Sequence, residues 1–260
     1  MLTYGNVSSN TTYAIETIPN SADNTIVSML PLAHMYGLAF EFLYQVAAGC
    51  HVYFLGKVPS PKVLLSSLAN IRPFMIVTVP LVVEKIFRTS VFPTIRQPFI
   101  KFLMKIPVIS CCLKNKIRKR LLDAFGGKLD YLIIGGAAIS KEVEDCMKDI
   151  RMPYTVGYGM TECAPLLAYE HWKKFAKQSC GKVVDRMELR IDSEDQEHVV
   201  GEIQARGANV MLGYYKNPEA TAAAFTEDGW MRTGDLGIID KKGNVFIKGR
   251  SKNMILSANG

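Results

Sequence analysis

Short apolar runs alternate with longer amphipathic stretches between Thr25 and Tyr158. The runs read TIVSMLP, HVYFL, FMIVTVP, YLIIGG and YTVGYG. Continuous apolar runs of this length predict buried strands, and the amphipathic stretches predict the helices that join them. Each run closes on Pro or Gly, which stops a strand where a loop can carry ligand-facing groups. This part of the chain is therefore predicted to be an α/β unit.

Helix signals lie between these runs. One helix is predicted over residues 61–70, and another is predicted to begin at Ser140. The Ser140 hydroxyl is expected to cap the first turn of its helix, and the Glu142 carboxylate is expected to favour the same turn electrostatically.

The pattern changes after Glu170. The runs MELRI, GEIQARG, LGIID and GNVFIKG are short, and several alternate polar with apolar residues, as half-buried antiparallel strands do. The letters KKGN between the last two runs predict a hairpin turn. One helix is expected within this region, capped by Asn217, with Pro218 at its first position and Gly229 at its end. We therefore predict a β-rich unit, with the boundary between residues 165 and 185.

Composition and charge narrow the class of protein. The 260 residues are 48% hydrophobic and 21% charged, which is typical of a globular chain. The net charge of +7 suits an anionic ligand, a nucleic acid or an acidic membrane surface. A nucleic acid ranks last, because no reading motif is recognisable. Six cysteines without a CxxC pair indicate reduced thiols rather than a zinc site, and no signal peptide or bilayer-length apolar run is present. A cytoplasmic protein is expected.

The segment from residue 101 to residue 120 is basic and partly apolar. It contains seven Lys or Arg residues and no acidic residue. Such a segment can lie on an anionic membrane, which would make the protein membrane-associated. The alternative is a solvated helical hairpin whose apolar side packs on the domain, and this interpretation is favoured.

The string YGMTE, Tyr158 to Glu162, follows an apolar run and is therefore expected at the carboxyl end of a strand, where open α/β sheets hold ligands. The Thr161 hydroxyl can donate to a phosphate oxygen, and the Glu162 carboxylate can hold magnesium. Tyr158 offers a flat face to a purine. Taken alone, Thr-Glu after a strand is more often an ordinary helix start.

Further strings offer candidate ligand groups. In LIIGGAAIS, Gly135 and Gly136 let the backbone approach a planar ring or a phosphate, although a tight strand-to-helix turn is the commoner use of such a pair. Asp235 in WMRTGDLG can accept from the two hydroxyls of a ribose, and Arg250 in GRSKN can donate to the same sugar. His34 in PLAHMYG is by itself more typical of a packed core residue.

The order and spacing of these strings resemble the adenylate-forming superfamily, which includes acyl-CoA synthetases, firefly luciferases and peptide-synthetase adenylation domains. The strings are PLAHMYG, LIIGGAAIS, YGMTE, WMRTGDLG and GRSKN, and together they cover nearly the whole chain. The resemblance implies an α/β fold, with a layered sheet-and-helix subdomain over residues 1–170. It implies a small β-barrel-like subdomain over residues 171–250, followed by a hinge over residues 251–260.

The resemblance also implies roles for individual residues. Gly135, Gly136 and Ala137 would border the adenine, and Tyr158 would stack on it with Gly157 close by. Gly159 would also belong to the nucleotide-binding residues. Thr161 would contact the phosphate and Glu162 would bind magnesium. Asp235 would hold the ribose hydroxyls and Arg250 would assist at the sugar.

His34 would face the substrate carboxylate, and Lys252 matches the hinge position of the family. Peptide-synthetase adenylation domains usually place an Asp near the His34 segment, and this chain has apolar neighbours there instead, which favours an acid without an α-amine. Met35, Tyr36 and Leu38, together with Phe42, are candidates for an apolar tunnel, although such spacing is more often simple core.

The activity implied by the resemblance is that of a long-chain fatty acid–CoA ligase. Such an enzyme uses ATP to form an acyl-adenylate and pyrophosphate, after which CoA displaces AMP. The Gly-rich phosphate loop of the family would precede Met1, and its C-terminal lid would follow Gly260. The chain is therefore expected to be a central fragment with negligible turnover. The alternatives are an acyl-AMP ligase, an adenylation domain serving a carrier protein, and a non-catalytic nucleotide-binding module.

Overall fold

The computed structural model describes residues 1–56 and 60–251, and they form a mixed α/β fold. Twelve strands are present among these residues: β1 (Thr25–Ser28), β2 (His51–Phe54), β3 (Met75–Thr78), β4 (Tyr131–Ile134), β5 (Tyr154–Val156), β6 (Tyr158–Gly159), β7 (Leu166–Tyr169), β8 (Lys182–Val183), β9 (Met187–Asp192), β10 (Gly201–Gly207), β11 (Met231–Ile239) and β12 (Val245–Arg250).

The helices of the same residues are α1 (Tyr4–Thr17), α2 (Met35–Gly37), α3 (Tyr44–Ala47), α4 (Pro61–Ile71), α5 (Pro80–Ile86), α6 (Phe92–Ile95), α7 (Pro98–Leu103), α8 (Pro107–Ala124), α9 (Lys141–Asp149) and α10 (Pro218–Ala224). A π-helical segment, Leu38–Leu43, connects α2 to α3, and a second one, Phe87–Val91, connects α5 to α6. A 3₁₀ turn covers Thr161–Cys163.

The chain forms two compact units. One unit is Pro19–Thr155, and the other joins Met1–Ile18 to the chain from Val156 onward. Along the sequence, the second boundary between the units therefore falls between Thr155 and Val156. The N-terminal helix α1 belongs to the same unit as the C-terminal part of the chain. The subdomain boundary near residue 170 stays a prediction.

The central unit contains the predicted sheet. Its strand order is β2-β1-β3-β4-β5, and β1 is parallel to both β2 and β3, as β3 is to β4. Every residue of β3 and β4 is buried, as expected for strands covered on both faces. Edge strand β2 is largely exposed. The prediction of an α/β fold is confirmed.

A buried carboxylate holds the carboxyl end of β1. Glu41 is fully buried, and its Oε2 accepts from the Ser28 hydroxyl at 3.1 Å and from the backbone N–H groups of Met29 at 2.9 Å and Leu30 at 2.8 Å. Burial raises the pKa of Glu41 to about 7, because removing a carboxylate from water costs more than these donors return. The segment that leads from β1 to His34 is therefore tied to the following helix.

The second unit contains two antiparallel sheets. One has the order β12-β11-β10-β9 and the other β6-β7-β8. The predicted hairpin turn is confirmed: Asp240 accepts from the backbone N–H groups of Lys242 at 2.9 Å and Asn244 at 2.8 Å, and Gly243 has a φ of 79°. That left-handed conformation suits glycine.

Helix α1 is anchored in this unit by two buried asparagines. The Asn6 side-chain amide donates to the carbonyls of Ala208 at 2.7 Å and Val210 at 2.9 Å. The Asn10 amide donates to the Cys163 carbonyl at 3.2 Å and accepts from the Leu166 N–H at 3.0 Å. The C-terminal end of the turn Thr161–Cys163 is thereby fixed to α1.

Ser140 is the N-cap residue of α9, as predicted, but the predicted capping bond of its hydroxyl and the predicted C-terminus of α10 are wrong. Asn217 caps α10, accepting from the Ala220 N–H at 3.0 Å, but the helix ends at Ala224. Gly229 instead belongs to a turn, with a φ of 83°, and its N–H donates to the Thr226 carbonyl at 3.0 Å. The Ser140 hydroxyl makes no capping bond and is buried without a partner in the described residues. The Ser140 N–H donates to the Glu84 carboxylate at 2.8 Å instead.

Two further structural observations concern the membrane and the cysteines. Among the helices of residues 1–56 and 60–251, none has the length and hydropathy that a transmembrane span requires. No disulfide joins any of the six cysteines, all of which lie in the described part of the chain.

We predict that Glu41→Gln changes the dependence of stability on pH. The raised pKa means that the stabilising contribution of Glu41 is present below about pH 4.5 and is lost as the pH rises through about 7. From about pH 5 to about pH 8, the free energy of unfolding of Glu41→Gln should therefore rise relative to the parent by about 2–3 kcal/mol. Urea unfolding at both pH values measures this difference.

The control for this experiment is Glu219→Gln, which changes an exposed carboxylate. Its stability should follow that of the parent at both pH values. A constant difference between Glu41→Gln and the parent across the same range would contradict the burial argument.

Candidate functional site

The Asp235 carboxylate is the best-defined polar feature of the second unit. Its side chain is only 8% exposed. Oδ2 accepts from the Tyr158 hydroxyl at 2.8 Å, and Oδ1 accepts from Nε of Arg250 at 3.0 Å. Three of the residues that the sequence singled out therefore meet at one carboxylate.

The strands of the four-stranded sheet explain this meeting. Asp235 on β11 and Arg250 on β12 are directly paired in the antiparallel register, so their side chains share a face. The Thr233 hydroxyl donates to the Ile203 carbonyl at 2.7 Å and accepts from the Asp235 N–H at 3.1 Å. These bonds fix the backbone from which the Asp235 carboxylate projects.

Tyr158 is held as a neutral donor. Its side chain is buried, and burial followed by the negative charge of Asp235 raises the pKa of Tyr158 well above its ordinary value. The hydroxyl therefore keeps its proton and goes on donating to Asp235. Arg250 differs, because its side chain is 71% exposed and keeps donors on the solvent side.

The turn that follows β6 carries Thr161 and Glu162. Thr161 is exposed, and Glu162 is half-buried. One carboxylate oxygen of Glu162 accepts from the Tyr214 hydroxyl at 2.9 Å, and its backbone carbonyl accepts from the Met211 N–H at 2.8 Å. The loop at residues 211–214 thus orients the Glu162 side chain.

Two glycines flank Tyr158, and their surroundings differ. At Gly159 a Cβ atom would collide with the Pro165 carbonyl, so this position needs glycine for close packing within the β6–β7 hairpin. At Gly157 the nearest atoms would lie 3.6 Å from an added Cβ, which is ordinary contact. A structural requirement is therefore visible at Gly159 and not at Gly157.

The chemistry of Glu162 fits a magnesium ion bound with a phosphate ligand. Mg²⁺ typically takes one or two carboxylates, keeps several waters and completes its shell with substrate phosphates. The residues that the structure describes contain no cluster of three or more acidic, His or Cys side chains for a dedicated metal site. A single carboxylate beside the exposed Thr161 hydroxyl suits a metal that arrives with a nucleotide.

The remaining predicted residues lie in the central unit, at the carboxyl edge of its parallel sheet. Gly135 is buried at the end of β4, and an added Cβ would lie 3.0 Å from Cζ of Tyr36. Gly136 is exposed and has a φ of 84°, a conformation that favours glycine, and Ala137 is exposed beside it. The Tyr36 hydroxyl lies 3.3 Å from the Thr78 and Ile133 carbonyls.

His34 precedes α2 and is exposed, with its carbonyl accepting from the Leu38 N–H at 3.0 Å. It is therefore not the packed core histidine that a lone His in an apolar string more often proves to be. Tyr36, two residues later, packs at Gly135, so the strings PLAHMYG and LIIGG meet within the central unit. Lys252 lies outside the described residues.

Several supporting residues escape prediction from the sequence. Tyr214 stands in none of the five strings, and its bond to Glu162 spans 52 residues. The string WMRTGDLG contains Thr233 but does not indicate its bond to the Ile203 carbonyl. Asn10 lies in a helix and supports a turn more than 150 residues away.

The family model described as "AMP-binding enzyme" matches residues 1–215. The chain belongs to the AMP-binding enzyme family. The matched range includes the glycine pair of the central unit and the Thr161–Glu162 turn, and it ends before β11. The superfamily that the five strings resemble is thereby confirmed.

Two curated relatives of this chain carry different activities in their names. Long-chain-fatty-acid–CoA ligase 4 of Saccharomyces cerevisiae is 33% identical over 256 residues, covering 90% of this chain and 36% of the relative. The 4-coumarate–CoA ligase of Pinus taeda is 31% identical over 249 residues, covering 90% of this chain and 40% of the relative. The chain thus spans about two fifths of the length of these relatives.

Solved structures share the fold. O-succinylbenzoate coenzyme A synthetase from Bacillus subtilis in complex with AMP superposes with a TM-score of 0.77 at 22% identity, covering 100% of this chain and 48% of that one. A malonyl-CoA ligase, in a ternary product complex with methylmalonyl-CoA and AMP, gives a TM-score of 0.73 at 27% identity, covering 96% of this chain and 49% of that one.

We predict that Tyr158→Phe lowers the free energy of unfolding by about 1–3 kcal/mol, because the buried Asp235 carboxylate loses a donor. Urea unfolding measures the loss. Tyr215→Phe is the matched control, since the Tyr215 side chain is exposed, and it should change stability by less than about 0.5 kcal/mol. Equal stabilities of the two variants would show that the Tyr158–Asp235 bond contributes nothing.

Proposed function

We propose that this chain is the nucleotide-binding part of an AMP-forming ligase that activates a fatty acid with ATP and transfers the acyl group to CoA. The observation that carries the proposal is the buried Asp235 carboxylate, shared by Tyr158 and Arg250, in the same unit as the Thr161–Glu162 turn. The naming of several yeast relatives as long-chain-fatty-acid–CoA ligases supports the substrate class.

Asp235 would bind the ribose. An ionised carboxylate offers about four lone-pair sites, and the Tyr158 and Arg250 donors occupy one on each oxygen. One site per oxygen remains, which matches the two hydroxyl donors of a ribose. Because Tyr158 and Arg250 already orient the carboxylate, little side-chain freedom would be lost when the sugar binds.

Tyr158 would stack on the adenine, with its ring held by the hydroxyl bond to Asp235. The glycines at positions 157 and 159 carry no side chain that would cover the ring. Gly135, Gly136 and Ala137 would border the base through their backbone. Arg250, exposed beside Asp235, would donate to the sugar or to its phosphate.

The Thr161–Glu162 turn would act on the phosphates. The exposed Thr161 hydroxyl would donate to a phosphate oxygen, and Glu162, oriented by Tyr214, would hold magnesium. Bound there, magnesium would neutralise charge on the departing pyrophosphate. Because Glu162 is tied to the loop at residues 211–214, its carboxylate would need little reorganisation during the reaction.

In the proposed reaction a carboxylate oxygen of the acid forms a bond to the α-phosphorus of ATP, and the bond to pyrophosphate breaks. The acyl-adenylate then reacts with the CoA thiol, which forms the thioester and releases AMP. Adenylation is needed because a carboxylate has no adequate leaving group. His34, exposed after β1, would face the acid, and Lys252 would act as the hinge residue.

The identity of the acid substrate is the more specific part of the proposal. The apolar neighbours of His34 favour an acid without an α-amine, and Met35, Tyr36, Leu38 and Phe42 would contribute to its binding tunnel. The 4-coumarate–CoA ligase relatives, 31–32% identical, make an aromatic acid the second candidate. A ligase that transfers the acyl group to a carrier protein has no comparable support among these relatives.

We predict that Glu162→Ala, introduced into the longer protein that the family resemblance implies, lowers the rate of fatty-acid-dependent ATP–pyrophosphate exchange by about 100-fold or more, because charge on the leaving pyrophosphate loses its counter-charge. Exchange is measured with fatty acids of short, medium and long chain, with 4-coumarate, and with no acid. The long-chain acids should give the highest rate.

The matched control is Glu227→Ala, since Glu227 is exposed in the same unit, and it should keep the parental rate. Exchange that is unchanged by Glu162→Ala would remove this residue from the mechanism. Exchange supported by 4-coumarate and not by fatty acids would reassign the substrate class.

A further inference from the structure

Helix α7 and the start of α8 expose a group of large apolar side chains. Phe99 is 69% exposed, Phe102 62% and Val108 75%, and Ile106 between the helices is 40% exposed. Helix α7 has no buried residue at all. The expectation that the apolar side of residues 101–120 packs on the domain is therefore wrong for Phe102, Ile106 and Val108. We call all four apolar side chains, with Lys101 and Lys105, the α7 surface.

The geometry makes the α7 surface compact. Phe99 and Phe102 are three residues apart in one helix and therefore lie on the same side of it. The chain then turns tightly, since the N–H of Lys105 donates to the Phe102 carbonyl at 3.1 Å and the N–H of Ile106 donates to the Leu103 carbonyl at 3.1 Å. Lys101 and Lys105 are exposed beside these side chains.

The charge around the α7 surface has one sign. From residue 85 to residue 122 the sequence contains ten Lys or Arg residues and no Asp or Glu. Arg88 and Arg96 pair with Glu142, and Lys114 pairs with Asp149. Six other basic side chains of this region are exposed: Lys85, Lys101, Lys105, Lys116, Lys119 and Arg120. An anionic partner is therefore favoured.

An anionic lipid bilayer matches both properties. Exposed Phe, Ile and Val side chains gain free energy when they enter the boundary between headgroups and acyl chains, and neighbouring Lys side chains reach the phosphates. A nucleic acid would match the charge but would offer Ile106 and Val108 no apolar environment. None of the described helices can span a bilayer, so the contact would be one at the membrane surface.

We propose that the α7 surface docks this protein on bilayers that contain anionic phospholipids. Phe99, Phe102, Ile106 and Val108 enter the interface, and Lys101 and Lys105 bind lipid phosphates. The proposal rests on exposure and charge alone, and it does not depend on the reaction proposed above.

The test is co-sedimentation of the 260-residue chain with vesicles of phosphatidylcholine alone and of equal parts phosphatidylcholine and phosphatidylserine. We expect binding to the mixed vesicles, weak binding to the neutral ones, and release as salt is raised. Lys101→Glu with Lys105→Glu should lower the partition coefficient by about 25-fold or more, at about fivefold for each basic residue lost. Phe99→Ser with Phe102→Ser should lower it by about tenfold or more.

Two control variants separate this surface from general effects. Lys241→Glu with Lys242→Glu makes the same change in net charge at exposed positions of the other unit, and Tyr4→Ser removes a fully exposed aromatic side chain there. Both should bind the mixed vesicles like the parent. Circular dichroism should show the same folded signal for every variant.

Three results would overturn the proposal. The first is no binding of the parent to mixed vesicles. The second is equal loss of binding in the control and the α7-surface variants, which would indicate a non-specific charge effect. The third is self-association in light scattering without lipid that the α7-surface variants abolish, because the apolar side chains would then serve a contact between copies of the chain.

Discussion

A carboxylate removed from water must be compensated, and this requirement at Asp235 organises the candidate site. One of its oxygens accepts from the Tyr158 hydroxyl, which comes from a separate hairpin. The other accepts from the Arg250 guanidinium, which comes from the adjoining strand. Two donors do not exhaust the accepting capacity of a carboxylate, so acceptor sites remain on Asp235. The two hydrogen bonds that offset the cost of burying Asp235 also fix the orientation of its remaining acceptor sites. A ribose would require acceptors held in this way.

The Thr161–Glu162 turn depends on a comparable constraint that operates over a long sequence distance. Asn10 of α1 bonds to Cys163, the last residue of the turn, and to Leu166, which follows it, and Asn6 bonds to the loop that leads to Met211 and Tyr214. Glu162 then accepts from Tyr214. The N-terminal helix is thus a structural support of the phosphate end of the candidate site, and it belongs to the same compact unit.

The sequence predicted elements better than it predicted partners. Apolar runs located β1, β3 and β4, and the turn letters between β11 and β12 located their hairpin, because local periodicity and turn chemistry determine both. The predicted capping bond of the Ser140 hydroxyl and the predicted end of α10 were wrong, since in each case a tertiary or turn contact replaced the local rule. The Asp235 network could be proposed only through a family resemblance. The support from Tyr214 and Asn10 could not be foreseen, because no local pattern records a hydrogen bond across 50 or more residues.

The central claim is that Tyr158, Asp235 and Arg250 form the base and sugar end of one nucleotide site. The most direct measurement is a crystal structure, with AMP bound, of the longer protein that the family resemblance implies. We expect both ribose hydroxyls within hydrogen-bonding distance of the Asp235 carboxylate and the adenine against the Tyr158 ring. AMP bound elsewhere, with the Asp235 oxygens contacting only Tyr158 and Arg250, would contradict the claim.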